Sequence, residues 1–228
     1  MKRIAVLLSN KGTGSNLEAI LRAIKHGKIK NGKVVVVVSD KTDAFGLIRA
    51  KKRKIPTEVF SLKAYIKNGK TREEFNDLLG KLLKEKYNVD LVVLAGWMLI
   101  LSRSFIKYFP NATINLHPGL LPDGNSKYIK LSSGTKIKSI RGLHTNAAVQ
   151  YAIDHKYPAT GSTVHFITAV VDQGPVIIRG EVRLRKGDNV VNLYKRMKKI
   201  EHNILPGAIA LICAGKLDVL NGKVKIKK

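Results

Sequence analysis

Five consecutive valines at 34–38 constrain the fold more than any other stretch of this 228-residue chain. A β-branched run without polar alternation suits a strand buried on both faces, as in the middle of a parallel sheet. Comparable apolar runs lie at 2–9, 90–95 and 112–116, with a shorter one at 57–60. The segments between them have the period of helices. Leu17, Ile20, Leu21 and Ile24 form one stripe in 15–26, and Phe75, Leu78, Leu79, Leu82 and Leu83 another in 71–87. Helices are also predicted at 44–54 and 102–108. Alternating strands and helices of this kind predict an α/β fold with a doubly wound, mostly parallel sheet.

A chain of this length can build one sizeable core. The sequence is read as a single domain, with a phosphate-binding half at about 1–110, a cosubstrate-binding and catalytic half at about 111–214 and an inserted segment at 123–141. The apolar start stops at Ser9-Asn10-Lys11-Gly12, too early for a signal peptide, and no run reaches the ~20 apolar residues of a membrane-spanning helix. Cys213 is the single cysteine, which excludes an internal disulfide and a cysteine-based zinc site. The histidines show no metal-ligand spacing, so no metal is expected. A cytoplasmic protein without a membrane partner is expected, either monomer or homodimer.

The formal net charge of +26 would be ordinary for a nucleic-acid binder. The cations are 31 Lys and 11 Arg, spread over every predicted helix and both ends. Dedicated phosphate recognition favours the bidentate Arg fork. Two readings stay open: a general lysine-rich composition, or a surface that binds polyanions weakly. Either one attracts anionic ligands.

Three places carry candidate chemistry. The loop 10–16 (NKGTGSN) joins the first strand to the first helix, where backbone N–H groups and the helix dipole can hold a phosphate. It lacks the last glycine of a dinucleotide fingerprint, and Ser15 could equally be a plain helix cap. Asn115 and His117, one residue apart at a strand end, point to the same face. They could hold an oxyanion and move a proton, or be only the polar end of a strand. Asp172, before Gln173-Gly174-Pro175, is either a turn carboxylate or a partner that raises the pKa of His117. His165, on an apolar strand, reads as a hydrogen-bonded structural residue, and Glu201-His202 as a solvated helix face. No nucleophile elbow is present.

After Pro122 the pattern changes. Residues 123–141 carry five basic side chains and one acid, with 128–131 and 135–140 flanking Ser132-Ser133-Gly134. A small hairpin is predicted, a basic loop being the alternative. A helix at 145–155, strands at 162–168 and 175–185, and a long helix at 189–214 complete the prediction.

The segments GSNLEAI (14–20), SDKTDAFGLIRAKK (39–52), LAGWMLILS (94–102), INLHPGLLP (114–122), GLHT (142–145), GSTVHFIT (161–168), VDQGPVI (171–177) and EHNILP (201–206), in this order, closely resemble the phosphoribosylglycinamide branch of the folate-dependent formyltransferases. The resemblance spans about 14–207. It implies the Rossmann-like fold of that family and transfer of the formyl group of 10-formyltetrahydrofolate to the amino group of glycinamide ribonucleotide. By position it implies Asn115, His117 and Asp172 as the catalytic trio, with Asp172 keeping His117 charged. It assigns the substrate phosphate to Gly14, Ser15 and Asn16 and the ribose hydroxyls to Glu201. It makes the half at about 111–214 the folate and catalytic half, and it places the folate against Met98, Leu99, Ile100 and Leu101, largely through main-chain groups, and against Asn115, with Arg72 near its carboxylate tail.

The chain departs from the family pattern in three places. Lys11-Gly12-Thr13 lengthens the phosphate loop, Leu99 stands where Arg is frequent, and 123–141 replaces a connection of a few residues. Two alternatives to this activity are a folate-dependent formyltransferase for another amine, an amino sugar nucleotide or aminoacyl-tRNA, and a non-catalytic nucleic-acid-binding module. The chain has no room for a carboxyl-terminal RNA-binding barrel, and Asn115, His117 and Asp172 occur together, so neither alternative is the expected one.

Overall fold

The computed structural model describes residues 1–9 and 12–227 and divides into two compact units, Met1–Ile114 and Asn115–Lys228. The first unit begins with β1 (Lys2–Leu8), α1 (Ser15–Lys25), β2 (Gly32–Ser39), α2 (Phe45–Lys52) and β3 (Thr57–Val59). It continues with α3 (Leu62–Lys67), α4 (Arg72–Lys81), β4 (Leu91–Leu94) and α5 (Arg103–Ile106). Its strands lie in the order β3-β2-β1-β4, and every described pair is parallel. All five valines of 34–38 are buried, as their unbroken run predicts. Ile4, Val6, Leu79 and Leu91 are fully buried and Phe75 nearly so.

The helix predicted over 71–87 forms as α4, which passes into a π-helical turn at Leu82–Lys86. Thr71 and Glu74 close its first turn by a reciprocal capping box. The sequence offered no periodic signal for the short helix α3. It is fixed from outside, by the Ser61 cap and by Tyr65, whose ring meets Phe75 edge-on at 5.5 Å.

The second unit takes over within β5 (Thr113–His117) and contains the hairpin β6 (Tyr128–Lys130) and β7 (Lys136–Lys138). There follow α6 (Thr145–Asp154), β8 (Ala159–Phe166), β9 (Val176–Arg183), α7 (Val190–Cys213) and a terminal hairpin of β10 (Leu217–Leu220) and β11 (Lys223–Ile226). The strand order is β5-β8-β9, with β9 antiparallel to β8. The fold is therefore α/β with seven strands, mostly parallel, plus two small hairpins. Leu193 and Met197 of α7 pack with Val149 of α6 and Val182 of β9. The inserted segment is a folded hairpin rather than a loop, because Leu131 and Ile137 bury themselves with Leu120 and Ala159.

Candidate active site

In the second unit, Asn115, His117, His165 and Asp172 form one polar cluster. Asn115 and His117 come from the end of β5, where the strand gives way to Pro118-Gly119. Thr163 of β8 holds the segment that follows, its hydroxyl donating to the Gly119 carbonyl at 2.7 Å and accepting the Leu121 amide at 3.0 Å. Asp172 is supplied by the turn between β8 and β9, in the left-handed region at φ 55. An aspartate tolerates that conformation better than most residues. Gly174 is needed beside it, since a Cβ there would lie 1.8 Å from the Phe166 carbonyl oxygen.

His117 is 3% exposed, with Nδ1 3.4 Å from Asp172 Oδ2 and Nε2 donating to the Ile140 carbonyl at 2.6 Å. Asp172 also accepts the Gly142 amide at 2.8 Å, which fixes the carboxylate independently of the imidazole. Burial pushes the His117 pKa below its ordinary value, against the attraction of Asp172 and the Ile140 carbonyl for the charged form. Desolvation of the enclosed imidazole thus opposes the role expected of Asp172, whose carboxylate favours the charged ring.

His165, read from the sequence as a hydrogen-bonded structural residue, belongs to the same cluster. Its Nδ1 donates to the Phe166 carbonyl at 2.8 Å, which leaves Nε2 to accept from Asn115 Nδ2 at 3.2 Å. Asp172 Oδ1 lies 3.7 Å from that Nε2. Burial again dominates and lowers the His165 pKa to about 4. A neutral His165 orients the Asn115 amide and leaves its second N–H for a ligand. The sequence signal for this residue was its polarity within β8, a strand buried along its whole length.

Glu201 is buried on α7, not on a solvated face, and accepts a hydrogen bond from Ser162 at 3.2 Å. Together with burial, its charge raises the pKa of Tyr194.

The first unit holds the other candidates. Asn10 and Lys11 of the predicted phosphate loop lie outside the described residues. Gly14, not Ser15, caps α1, at φ 64 and without a side-chain cap bond, so the reading of Ser15 as a cap is corrected. A Cβ on Gly14 would come within 2.9 Å of Gly46 Cα, which ties this glycine to the DAFG segment. Ser15 and Asn16 form the first turn of α1, where amides point out of the helix start. Arg49 steadies the loop by donating to the Thr13 carbonyl at 2.6 Å.

Arg72 is exposed at the start of α4. Met98 and Ile100 are exposed apolar residues, Leu99 is half-buried and Leu101 buried. The Met98 amide donates to Ser9 Oγ at 2.9 Å, so the main-chain donor expected there for a ligand is already engaged. Among the described residues, no group of three or more His, Cys, Asp or Glu could hold a metal ion, and no helix is long and apolar enough to cross a membrane.

A mostly parallel α/β fold with an Asn-x-His strand end and a buried aspartate in the turn after β8 defines a class of acyl-transfer enzymes, and residues 2–209 match the family model described as formyl transferase. The chain belongs to the formyl transferase family. It is 37% identical over 217 residues to the phosphoribosylglycinamide formyltransferase of Escherichia coli (strain K12), which covers 95% of this chain and 89% of that protein. It is also 35% identical over 223 residues to the trifunctional purine biosynthetic protein adenosine-3 of Homo sapiens, matching 97% of this chain but only 19% of that protein, about a fifth of its length. Among solved structures, glycinamide ribonucleotide transformylase 1 from Symbiobacterium toebii superimposes with a TM-score of 0.85 at 37% identity, covering 100% of this chain and 95% of that one.

Proposed function

We propose that this chain transfers the formyl group of 10-formyltetrahydrofolate to the amino group of glycinamide ribonucleotide, a step of de novo purine synthesis in the cytoplasm. The observation that carries the reading is the buried cluster of Asn115, His117, His165 and Asp172. The amine attacks the formyl carbon, its lone pair forms the new C–N bond, and the carbonyl π electrons move onto oxygen. The free N–H of Asn115 and the Nε2–H of His117 stabilise that oxyanion. The amine then gives up a proton, through water and Asp172, to the folate N10. The bond from N10 to carbon breaks as the carbonyl re-forms, without a covalent enzyme intermediate.

The amides of Gly14, Ser15 and Asn16 take the substrate phosphate, and Glu201 the ribose hydroxyls. The exposed apolar side chains of Met98 and Ile100, with Leu99 and Leu101 beside them, take the folate ring system. Arg72 meets the folate carboxylate, and the +26 charge favours both anionic ligands. The test is direct: purified protein mixed with glycinamide ribonucleotide and 10-formyltetrahydrofolate releases tetrahydrofolate. Absence of turnover at micromolar enzyme overturns the proposal.

A further inference from the structure

A histidine that faces Asp172 through Nδ1 has only Nε2 to offer a substrate. In this structure that nitrogen is taken by the Ile140 carbonyl at 2.6 Å, near the end of the inserted segment, just after β7. The segment is pinned where it meets its surroundings. Glu181 of β9 accepts both the amide and the hydroxyl of Ser132, at 2.8 and 2.7 Å, and so holds the tip of the hairpin. Arg179, two residues earlier, holds the base through the Leu121 carbonyl at 2.5 Å and Asp123 at 3.1 Å. Arg141 donates to the Gly124 carbonyl at 2.7 Å and ties the two ends of the insertion together. Behind these contacts Leu131 and Ile137 are packed in the cluster with Leu120 and Ala159. The hairpin is thus held at its tip, base and core, and it leads directly into Ile140, whose side chain is buried with Ala148 and Ala152 of α6.

We propose that the inserted hairpin is a latch over His117 and that Glu181 is its positioning residue. The inference rests on the reading of His117 as the oxyanion partner in formyl transfer. Ligand entry must displace the Ile140 carbonyl from Nε2, so the latched state lowers apparent affinity by the fraction of molecules that are open. One hydrogen bond of this kind weighs roughly two- to tenfold in that equilibrium. The groups facing the ring are Asp172, His165, Arg141 and His144, and none of them lies on the exposed tip that Glu181 holds. Loosening the tip therefore alters the Ile140 contact while Asp172 and His165 stay in place, and Arg141, next to Ile140, shifts with it.

The test is Glu181→Ala in the full chain, with Asp123→Ala as a second, independent release of the base. Both side chains are exposed, so the fold is retained. The imidazole N–H of His117 is followed by nitrogen-15 NMR in the ligand-free protein, beside steady-state kinetics. Wild type should show a hydrogen-bonded Nε2 proton that exchanges slowly. Each variant should exchange it faster and lower KM for glycinamide ribonucleotide roughly two- to tenfold with kcat retained, and Glu181→Asp should restore wild-type exchange. Unchanged exchange in both variants, or faster exchange with an unchanged or raised KM, overturns the latch. A protein with no turnover whose Nε2 proton is still released by Glu181→Ala overturns the transfer reading and supports the latch.

Discussion

Asp172 Oδ2 lies 3.4 Å from His117 Nδ1 and accepts the Gly142 amide at 2.8 Å. The carboxylate is therefore placed by the backbone and acts on the imidazole from a fixed position. Asp172→Asn keeps the size of the side chain and removes its charge. The His117 pKa then falls further, because burial is left with less opposition. Turnover should drop at least tenfold, and the limb of the pH–rate profile that reports His117 should move to lower pH. An unchanged profile at full activity would remove Asp172 from the mechanism.

Asn115 donates one N–H to His165 and keeps the other for the developing oxyanion. A donor of this type is worth ~2.7–4 kcal/mol of barrier, so Asn115→Ala should lower kcat roughly a hundredfold or more. KM for either substrate should change little, since the interaction strengthens only in the transition state. A variant that loses affinity and keeps kcat would show Asn115 to be a binding group alone.

The pair Asn115 and His117 was legible from its spacing, because a period of two puts both side chains on one face of a strand. Asp172 stayed ambiguous because an aspartate before Gln-Gly-Pro serves a turn equally well, and the structure has it do both. His165 was passed over as one polar residue on an apolar strand, although Ser162, Thr163 and His165 together mark β8 as a strand whose buried side chains serve polar partners. The antiparallel direction of β9 was available from the connection 167–175, too short for the crossover that a parallel pair needs. Asn221-Gly222 between two apolar-polar runs announces the β10–β11 hairpin, and both residues adopt the positive φ that such a turn requires. What no local pattern carries is the burial of Glu201 and the seat of α3, which depend on residues distant in sequence.

Gly14 stands at φ 64 with the Gly46 backbone closing the space where a side chain would go. Gly14→Ala should cost at least ~1–2 kcal/mol from the left-handed conformation alone. The crowded start of α1 should shift with it, raising KM for glycinamide ribonucleotide several-fold while kcat is retained. Thermal unfolding and steady-state kinetics check the two effects separately, and an unchanged KM would remove the helix start from substrate binding.

His165 makes stability depend on pH, and the sign follows from its depressed pKa of about 4 against an ordinary value of 6.5. Between those values the unfolded chain binds a proton that the folded chain refuses, so stability is fully present above about 6.5 and is lost as pH falls toward 4. The loss from this one group at pH 5 is roughly 2 kcal/mol. The buried His117, lowered in the same direction, adds to it. Tm should therefore fall by several degrees from pH 7 to pH 5, and His165→Asn should flatten that dependence even where it lowers Tm at pH 7. A protein whose Tm is as high at pH 5 as at pH 7 would mean that His165 is protonated in the fold, which would force its Nε2 to donate toward Asp172 and release the Asn115 amide.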